Sequence, residues 1–268
     1  MSLRIATWNI NSVRLRIGLV GKFLDEHQPD VICLQETKCP QGQFPSSAFH
    51  ERGYAHIAEF GQKGYHGVAI ASRIPFAAQS SRAFCKKEDC RHIAATLATK
   101  KPTVVHNFYV PAGGDEPDPE INPKFAHKLQ FLKEMERWFK KGSVPDGHEG
   151  LVVGDLNIAP LVEDVWSHKE LLKVVSHTPI ETEGLTKVQK AGGWVDVMRE
   201  KAPPPEKLYT WWSYRAQDWA ASNRGRRLDH IWATPALAKK CKRMDIHKIT
   251  RGWPRTSDHV PVVAEFAL

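Results

Sequence analysis

The chain has 268 residues, 41% hydrophobic and 25% charged, a balance that suits one large α/β domain and excludes a disordered or fibrous chain. No stretch approaches the roughly 20 apolar residues that span a bilayer. The first residues lack the apolar core of a signal peptide, so a cytoplasmic protein without membrane attachment is expected. The net charge of +8 lies wholly in residues 201–260, where 13 Lys/Arg face 5 Asp/Glu, and the remainder balances at 25 against 25.

In chain order, residues 3–8 form a β-like run that delivers Asn9 and Asn11 at its end. Ser12 is placed to cap a helix with Leu15, Leu19, Phe23 and Leu24 on one stripe. After Pro29, residues 30–34 read as a second buried strand, followed by Gln35-Glu36-Thr37-Lys38. A strand–helix–strand unit of this length lays its strands side by side and parallel. Residues 67–72, 93–97 and 102–111 read as further strands, the last ending near Tyr109. The loop 112–122 leads to a helix capped by Asn122, with Pro123 in its first turn and Phe125, Leu129, Leu132 and Phe139 facing one side.

Leu151-Val152-Val153-Gly154-Asp155-Leu156-Asn157 carries the strongest local signal. Three aliphatics make a buried strand. Gly154 either ends it or lets another group approach its backbone. Asp155 and Asn157, two residues apart in extended chain, share a face. Both are also ordinary Asx-turn residues. Residues 160–200 read as helical and irregular, and Pro203-Pro204-Pro205 as a stiff spacer. Residues 228–233 and 260–266 are the final strands, each with acid or Asp-His near its start.

The five cysteines are odd in number and Cys33 lies in an apolar run, as expected of reduced thiols. Cys85 and Cys90 near His92 lack a second pair, so no zinc site is expected. The basic window 201–260 holds five of the nine tryptophans, Trp211, Trp212, Trp219, Trp232 and Trp253. That combination suits a polyanion with stackable bases, or a solvated surface over core tryptophans. There is no internal repeat and no separating linker, so one domain spanning 1–268 is expected.

Polar residues recur at strand ends: Asn9, Asn11, Glu36, Tyr109, Asp155, Asn157, Asp229, Asp258 and His259. Sites in α/β folds gather at the carboxyl ends of strands. Acids and amides without a His/Cys cluster favour Mg²⁺ or Mn²⁺ over zinc. An Asp-His pair adds a proton carrier. A metal-assisted phosphodiester hydrolase is consistent with this set.

The chain resembles the exonuclease III family of abasic-site (AP) endonucleases, within the endonuclease/exonuclease/phosphatase superfamily. The motifs that carry the resemblance are Trp8-Asn9-Ile10-Asn11, Leu34-Gln35-Glu36-Thr37-Lys38, Asn107-Phe108-Tyr109-Val110-Pro111, Gly154-Asp155-Leu156-Asn157-Ile158-Ala159, Arg227-Leu228-Asp229 and Ser257-Asp258-His259-Val260-Pro261. They stand in family order over nearly the whole chain.

The resemblance implies a deoxyribonuclease I-like, four-layer αββα sandwich of two packed mixed sheets. It implies Glu36 as the main metal carboxylate helped by Asn9, with Asp155, Asn157, Asp258 and His259 also at the metal. Asp155 would orient or deprotonate the attacking water, and Asn157 would bond the phosphate or that water. His259, oriented by Asp229, would bind the phosphoryl oxygen, and Tyr109 would stabilise the phosphate or leaving oxygen. Asn11, Arg91, Trp211, Trp219, Arg224 and Arg226 would contact DNA, Trp211 against a flipped abasic sugar and Trp219 as a wedge. The implied substrate is double-stranded DNA with abasic sites or blocked 3′ ends, cut 5′ to the lesion by a monomer, with 3′→5′ exonuclease and 3′-phosphatase activity alongside. Two alternatives share parts of this set. One is a phosphomonoesterase or lipid-headgroup phosphatase of the same superfamily; the other is a non-catalytic nucleic-acid-binding protein.

Overall fold

The computed structural model describes residues 2–268. The first half of the chain supplies strands β1 (Ser2–Asn9), β2 (Val31–Gln35), β3 (His56–Phe60), β4 (Val68–Ser72), β5 (Phe76–Ser81), β6 (His92–Leu97) and β7 (Thr103–Tyr109). The second half supplies β8 (Glu149–Asp155), β9 (Val195–Asp196), β10 (Trp211–Trp212), β11 (Gly225–Arg226), β12 (Asp229–Ala233), β13 (Cys241–Ile246) and β14 (Val262–Ala267). They form two six-stranded sheets, ordered β13-β14-β1-β2-β4-β3 and β5-β6-β7-β8-β12-β9, and a β10-β11 ribbon.

Strand alternation explains the layering. In β1, Leu3 and Ile5 turn toward the second sheet while Ala6 and Trp8 turn outward. Val31 and Cys33 of β2 likewise face in, and Ile32 and Leu34 face out. The inner core sets these against Val105, Leu151, Val153 and Ile231. Outside the first sheet lies the helix Val13–His27, which contributes Val13, Val20, Phe23 and Leu24. Outside the second lie the helices Pro123–Lys140 and Pro179–Ala191, contributing Phe131, Leu132, Leu185 and Val188. Both faces of each sheet are thus covered, which is why the central strands read as unbroken apolar runs.

The first helix departs from the expected stripe. Ser12 has φ +87° and makes no side-chain cap, and Leu15 is 62% exposed. Asn122 does cap its helix, accepting from Lys124 N at 3.0 Å. Pro203–Pro205 belongs to a turn after a short helix and is no spacer. All five cysteines are free and buried. Among the described residues, no helix is long and apolar enough to cross a membrane.

Strand direction then sets where the polar ends meet. β1 and β2 are parallel, as are β7 and β8. The bond from Asn9, at the end of β1, to Asp155, at the end of β8, puts the carboxyl ends of both pairs at one edge of the two sheets. β12 is antiparallel to β8 and β14 antiparallel to β1, so these two bring their starts to that edge. Register makes this concrete: Asp155 is the partner of both Tyr109 and Asp229.

Candidate active site

Asn9, last residue of β1, has its carbonyl oxygen Oδ1 held by Asn11 N at 3.1 Å. That contact turns Nδ2 toward two acids, Glu36 Oε1 and Asp155 Oδ2, each at 2.9 Å. One amide nitrogen therefore bridges carboxylates from both sheets. Glu36 follows β2 with φ +49°, and its other oxygen, Oε2, lies 2.9 Å from Lys38 Nζ. Burial would raise the Glu36 carboxyl, but Lys38 and the Asn9 amide more than offset this and leave it below its usual range.

Asp155 and Asn157 occupy the opposite wall. Gly154 has φ +133°, and a Cβ there would stand 2.0 Å from Phe108 O, so only glycine lets β8 press against β7 here. Beyond it Asn157 turns back with φ +53°, and its N–H donates to Asp155 Oδ1 at 2.9 Å. Asn157 Nδ2 donates to Asp155 Oδ2 at 3.1 Å and to Val110 O at 2.8 Å. The Asx turn and the functional pair are one object, because the turn aims the acid.

His259 completes the set. Nδ1 lies 2.8 Å from Asp229 Oδ2, and Nε2 lies 3.6 Å from Asp155 Oδ2. Burial alone would lower the imidazole, but Asp229 and Asp155 carry it up to about 10. Burial lifts the Asp155 carboxyl to about 7; His259 opposes the rise and Asp229 adds to it. Tyr109 is held well above its usual range, first by burial and then by Glu36 and Asp155, so its hydroxyl stays protonated.

Several supports were not legible beforehand. Trp8 Nε1 donates to His259 O at 3.1 Å. Ser257 Oγ donates to Asn9 O at 2.6 Å and accepts from His259 N at 3.2 Å. Thr210 Oγ1 accepts from Leu228 N and Asp229 N at 3.0 and 3.1 Å. Trp8 and Ser257 stand in the motifs quoted above, but their backbone partners lie far off in sequence, and Thr210 lies outside every motif. Between the sheets, Asn107 Nδ2 donates to Leu34 O and Ala69 O while its Oδ1 accepts from Gln35 Nε2 at 2.7 Å.

Beside the acids opens a cavity of about 710 Å³. Its far wall is made of Trp166, Val175, Trp211, Arg224 and Arg226. Trp211 Nε1 donates to Asp258 Oδ2 at 2.9 Å, fixing Asp258 at the rim. Arg226 lies over the Trp211 ring and Arg224 over Trp166, at 5.2 and 4.5 Å. Asn11 sits at the same rim, accepting from Lys38 Nζ at 2.6 Å.

The tryptophans divide between the two expectations. Trp212 and Trp232 are core residues, whereas Trp211, Trp219 and Trp253 are partly exposed. Trp219 starts a four-residue helix and packs edge-on against Trp212, flanked by Lys248 and Arg251. In that packing it does not protrude as a wedge. Arg91, expected to face DNA, is buried: it pairs with Asp89, bonds His66 Nε2 and Tyr109 O, and lies over the Tyr109 ring. It fixes Tyr109 from behind.

The matching family model, described as the endonuclease/exonuclease/phosphatase family, covers residues 6–259. The chain belongs to this family. Within it, the chain is 30% identical to exodeoxyribonuclease III of Haemophilus influenzae, covering 98% of this chain and 100% of that one. An AP endonuclease from Archaeoglobus fulgidus superposes with a TM-score of 0.90 at 36% identity, covering 99% and 100% of the two chains. The Neisseria 3′ phosphatase NExo, solved with a product DNA hairpin, also gives 0.90, at 30% identity with 99% and 100% covered. The two packed mixed sheets of this chain are the expected sandwich.

Proposed function

We propose that this family member is a metal-dependent DNA repair nuclease that cleaves the phosphodiester 5′ to an abasic site, leaving a 3′-hydroxyl, and trims blocked 3′ ends at the same centre. The observation that carries the reading is the bridge Glu36–Asn9–Asp155 beside the His259–Asp229 pair, opening on a cavity walled by arginine and tryptophan. The named relatives act on DNA as nucleases or as a 3′ phosphatase, which supports the same class.

A divalent cation fits the acidic side of the site. Glu36 already attracts the Lys38 ammonium, and the donors nearby are oxygens without thiolate, a set suited to Mg²⁺ or Mn²⁺. Asp155, Asp229 and His259 also offer atoms within 4.8 Å of one another. Both ring nitrogens of His259 face carboxylates, Asp229 Oδ2 at 2.8 Å and Asp155 Oδ2 at 3.6 Å, which suits a proton donor more than a ligand, so Glu36, with Asp155 beside it, is the better holder. Asn9 presents its nitrogen to these acids, which suits a clamp on the ligands more than a ligand. When bound, the ion supplies Lewis-acid neutralisation of the phosphate's non-bridging oxygens.

The chain's own groups divide the remaining work. Asp155 takes the proton of the attacking water, its carboxylate aimed by the Asn157 N–H and the Asn9 amide. The His259 imidazolium donates to a phosphoryl oxygen as charge builds, such a donor being worth ~3 kcal/mol, while both Asn157 amide hydrogens stay on Asp155 Oδ2 and Val110 O and hold the acid in place. Tyr109, kept protonated, donates to the phosphate or the departing 3′ oxygen. Arg224 and Arg226, stacked on tryptophans, suit a polyanion with an extrahelical residue better than a small phosphomonoester.

The test is nicking of an abasic duplex with Mg²⁺, then with EDTA, then by Glu36→Ala and Asp155→Asn. Chelation should abolish product, and each variant should lose on the order of 10²-fold in turnover. Full activity in both variants, or cleavage of inositol phosphates in preference to DNA, would overturn the assignment.

A further inference from the structure

A lysine and a glutamate lie entirely inside the protein, away from solvent and outside the groups just described. Lys128, on the helix Pro123–Lys140, and Glu181, on the helix Pro179–Ala191, form an ion pair in which neither side chain has any exposure. Burying two charges is costly, and an apolar pair of similar volume is often as stable. The position therefore calls for an explanation other than stability.

The hydrogen bonds give one. Lys128 Nζ donates to Asn157 O at 2.8 Å and to Ala112 O at 3.1 Å, its third direction going to Glu181. It ties the turn that aims Asp155 to the chain leaving β7 just beyond Tyr109. Gly113 shows how closely this is built: a Cβ there would stand 2.9 Å from Lys128 Cδ. Glu181 faces the other way. Its oxygens accept from Ser176 N at 2.9 and 3.0 Å, from Thr178 N at 3.2 Å and from Thr178 Oγ1 at 2.6 Å. Ser176, held at φ +88°, and Val175 form the cavity wall on which Arg226 rests.

We propose that Lys128 is a positioning residue: with Glu181 it locks the Asp155–Asn157 turn to the wall of the lesion cavity, so that both are set by one buried ion pair. The proposal rests on the nuclease reading. A methionine in its place would leave the Asn157 and Ala112 carbonyls without this donor and let the turn rotate. Misplacement of a reacting group by about 1 Å costs on the order of 10²-fold in rate.

The experiment compares wild type, Lys128→Met, Lys128→Arg and the neutral pair Lys128→Met/Glu181→Gln, which removes both charges but keeps an acceptor for Ser176 and Thr178. For each, kcat and KM on an abasic duplex with Mg²⁺, the melting temperature, and amide exchange of residues 155–159 are measured. Wild-type turnover tests the nuclease reading itself; the variant ratios and the exchange test the proposal.

Lys128→Met should lose stability and kcat together. The neutral pair should regain most of the melting temperature. Its kcat should stay on the order of 10-fold or more below wild type, with KM nearly unchanged and faster exchange at 155–159. Lys128→Arg, which keeps charge and donors, should recover part of kcat. Recovery of kcat in step with melting temperature, unaltered exchange in the neutral pair, or equal rates for the Arg and Met variants at similar stability would each overturn the role.

Discussion

His259 Nδ1 sits 2.8 Å from Asp229 Oδ2, while Asp229 Oδ1, fully buried, has no hydrogen-bond partner among the described residues. Asp229 is fully buried and its hydrogen-bonded oxygen is on the imidazole, so its charge acts chiefly on that ring. Asp229 and Asp155 together hold the imidazole protonated up to about 10. Activity should therefore rise with pH as Asp155 ionises, from an Asp155 value of about 7 that a bound cation would lower, and fall as His259 loses its proton.

Asp229→Asn removes the larger support for the imidazolium while nearly preserving shape. The falling limb of the kcat profile should then move down by more than one pH unit, and turnover at pH 8 should drop on the order of 10²-fold. A pH–rate series on abasic duplex reads both effects. An unshifted alkaline limb would mean that His259 is not the group being titrated.

Arg226 gives a prediction about substrate preference. Its Nη1 is used on Val175 O at 3.0 Å and Ser176 Oγ at 2.8 Å, and its guanidinium lies over Trp211 in the cavity wall. An internal abasic nucleotide carries a phosphate on its 3′ side, whereas a 3′-terminal phosphate ends at the bond being cut and puts nothing beyond it. Hydrogen bonds to charged groups are worth about 1.5–3 kcal/mol. Arg226→Leu should thus lower kcat/KM on internal abasic sites by roughly 10- to 100-fold relative to removal of a 3′-terminal phosphate. Equal losses on both substrates would show that the arginine serves the wall's structure alone.

The sequence carried the centre of the fold and the acids well, for a physical reason. Strands buried on both faces print continuous apolar runs, and their polar ends stand out against them; β1, β2, β7, β8 and β12 were all visible this way. Edge strands print nothing comparable. β5 is exposed along five of its six residues and β13 carries three charges, so neither shows alternation or a run. The site's carboxylates were likewise legible, but their supports were not. Thr210, Ser257 and Lys128 act through backbone atoms far off in sequence, and only the folded chain reveals the partner. Arg91 shows the converse: the resemblance implied a DNA contact, yet the side chain is buried against Asp89 and Tyr109.

Acid should unfold this protein early, and two histidines say why. His106 and His230 are buried, bonded to Ser143 O and Ile158 O, and burial lowers each to about 4 from an ordinary value near 6.5. In the unfolded chain they take up protons near pH 6.5, and in the fold they do not until about 4. Between those values the unfolded state binds more protons, so stability rises with pH across the window and falls as the solution is acidified. By linkage each histidine withdraws roughly 2 kcal/mol on going from pH 7 to pH 5. For a chain of this size that corresponds to a drop of several degrees in melting temperature per histidine, about 5 °C. His106→Gln, which cannot charge, should be less stable at pH 7 yet lose less between pH 7 and pH 5 than wild type. Thermal melts at the two pH values check this, and parallel losses in wild type and variant would remove His106 from the account.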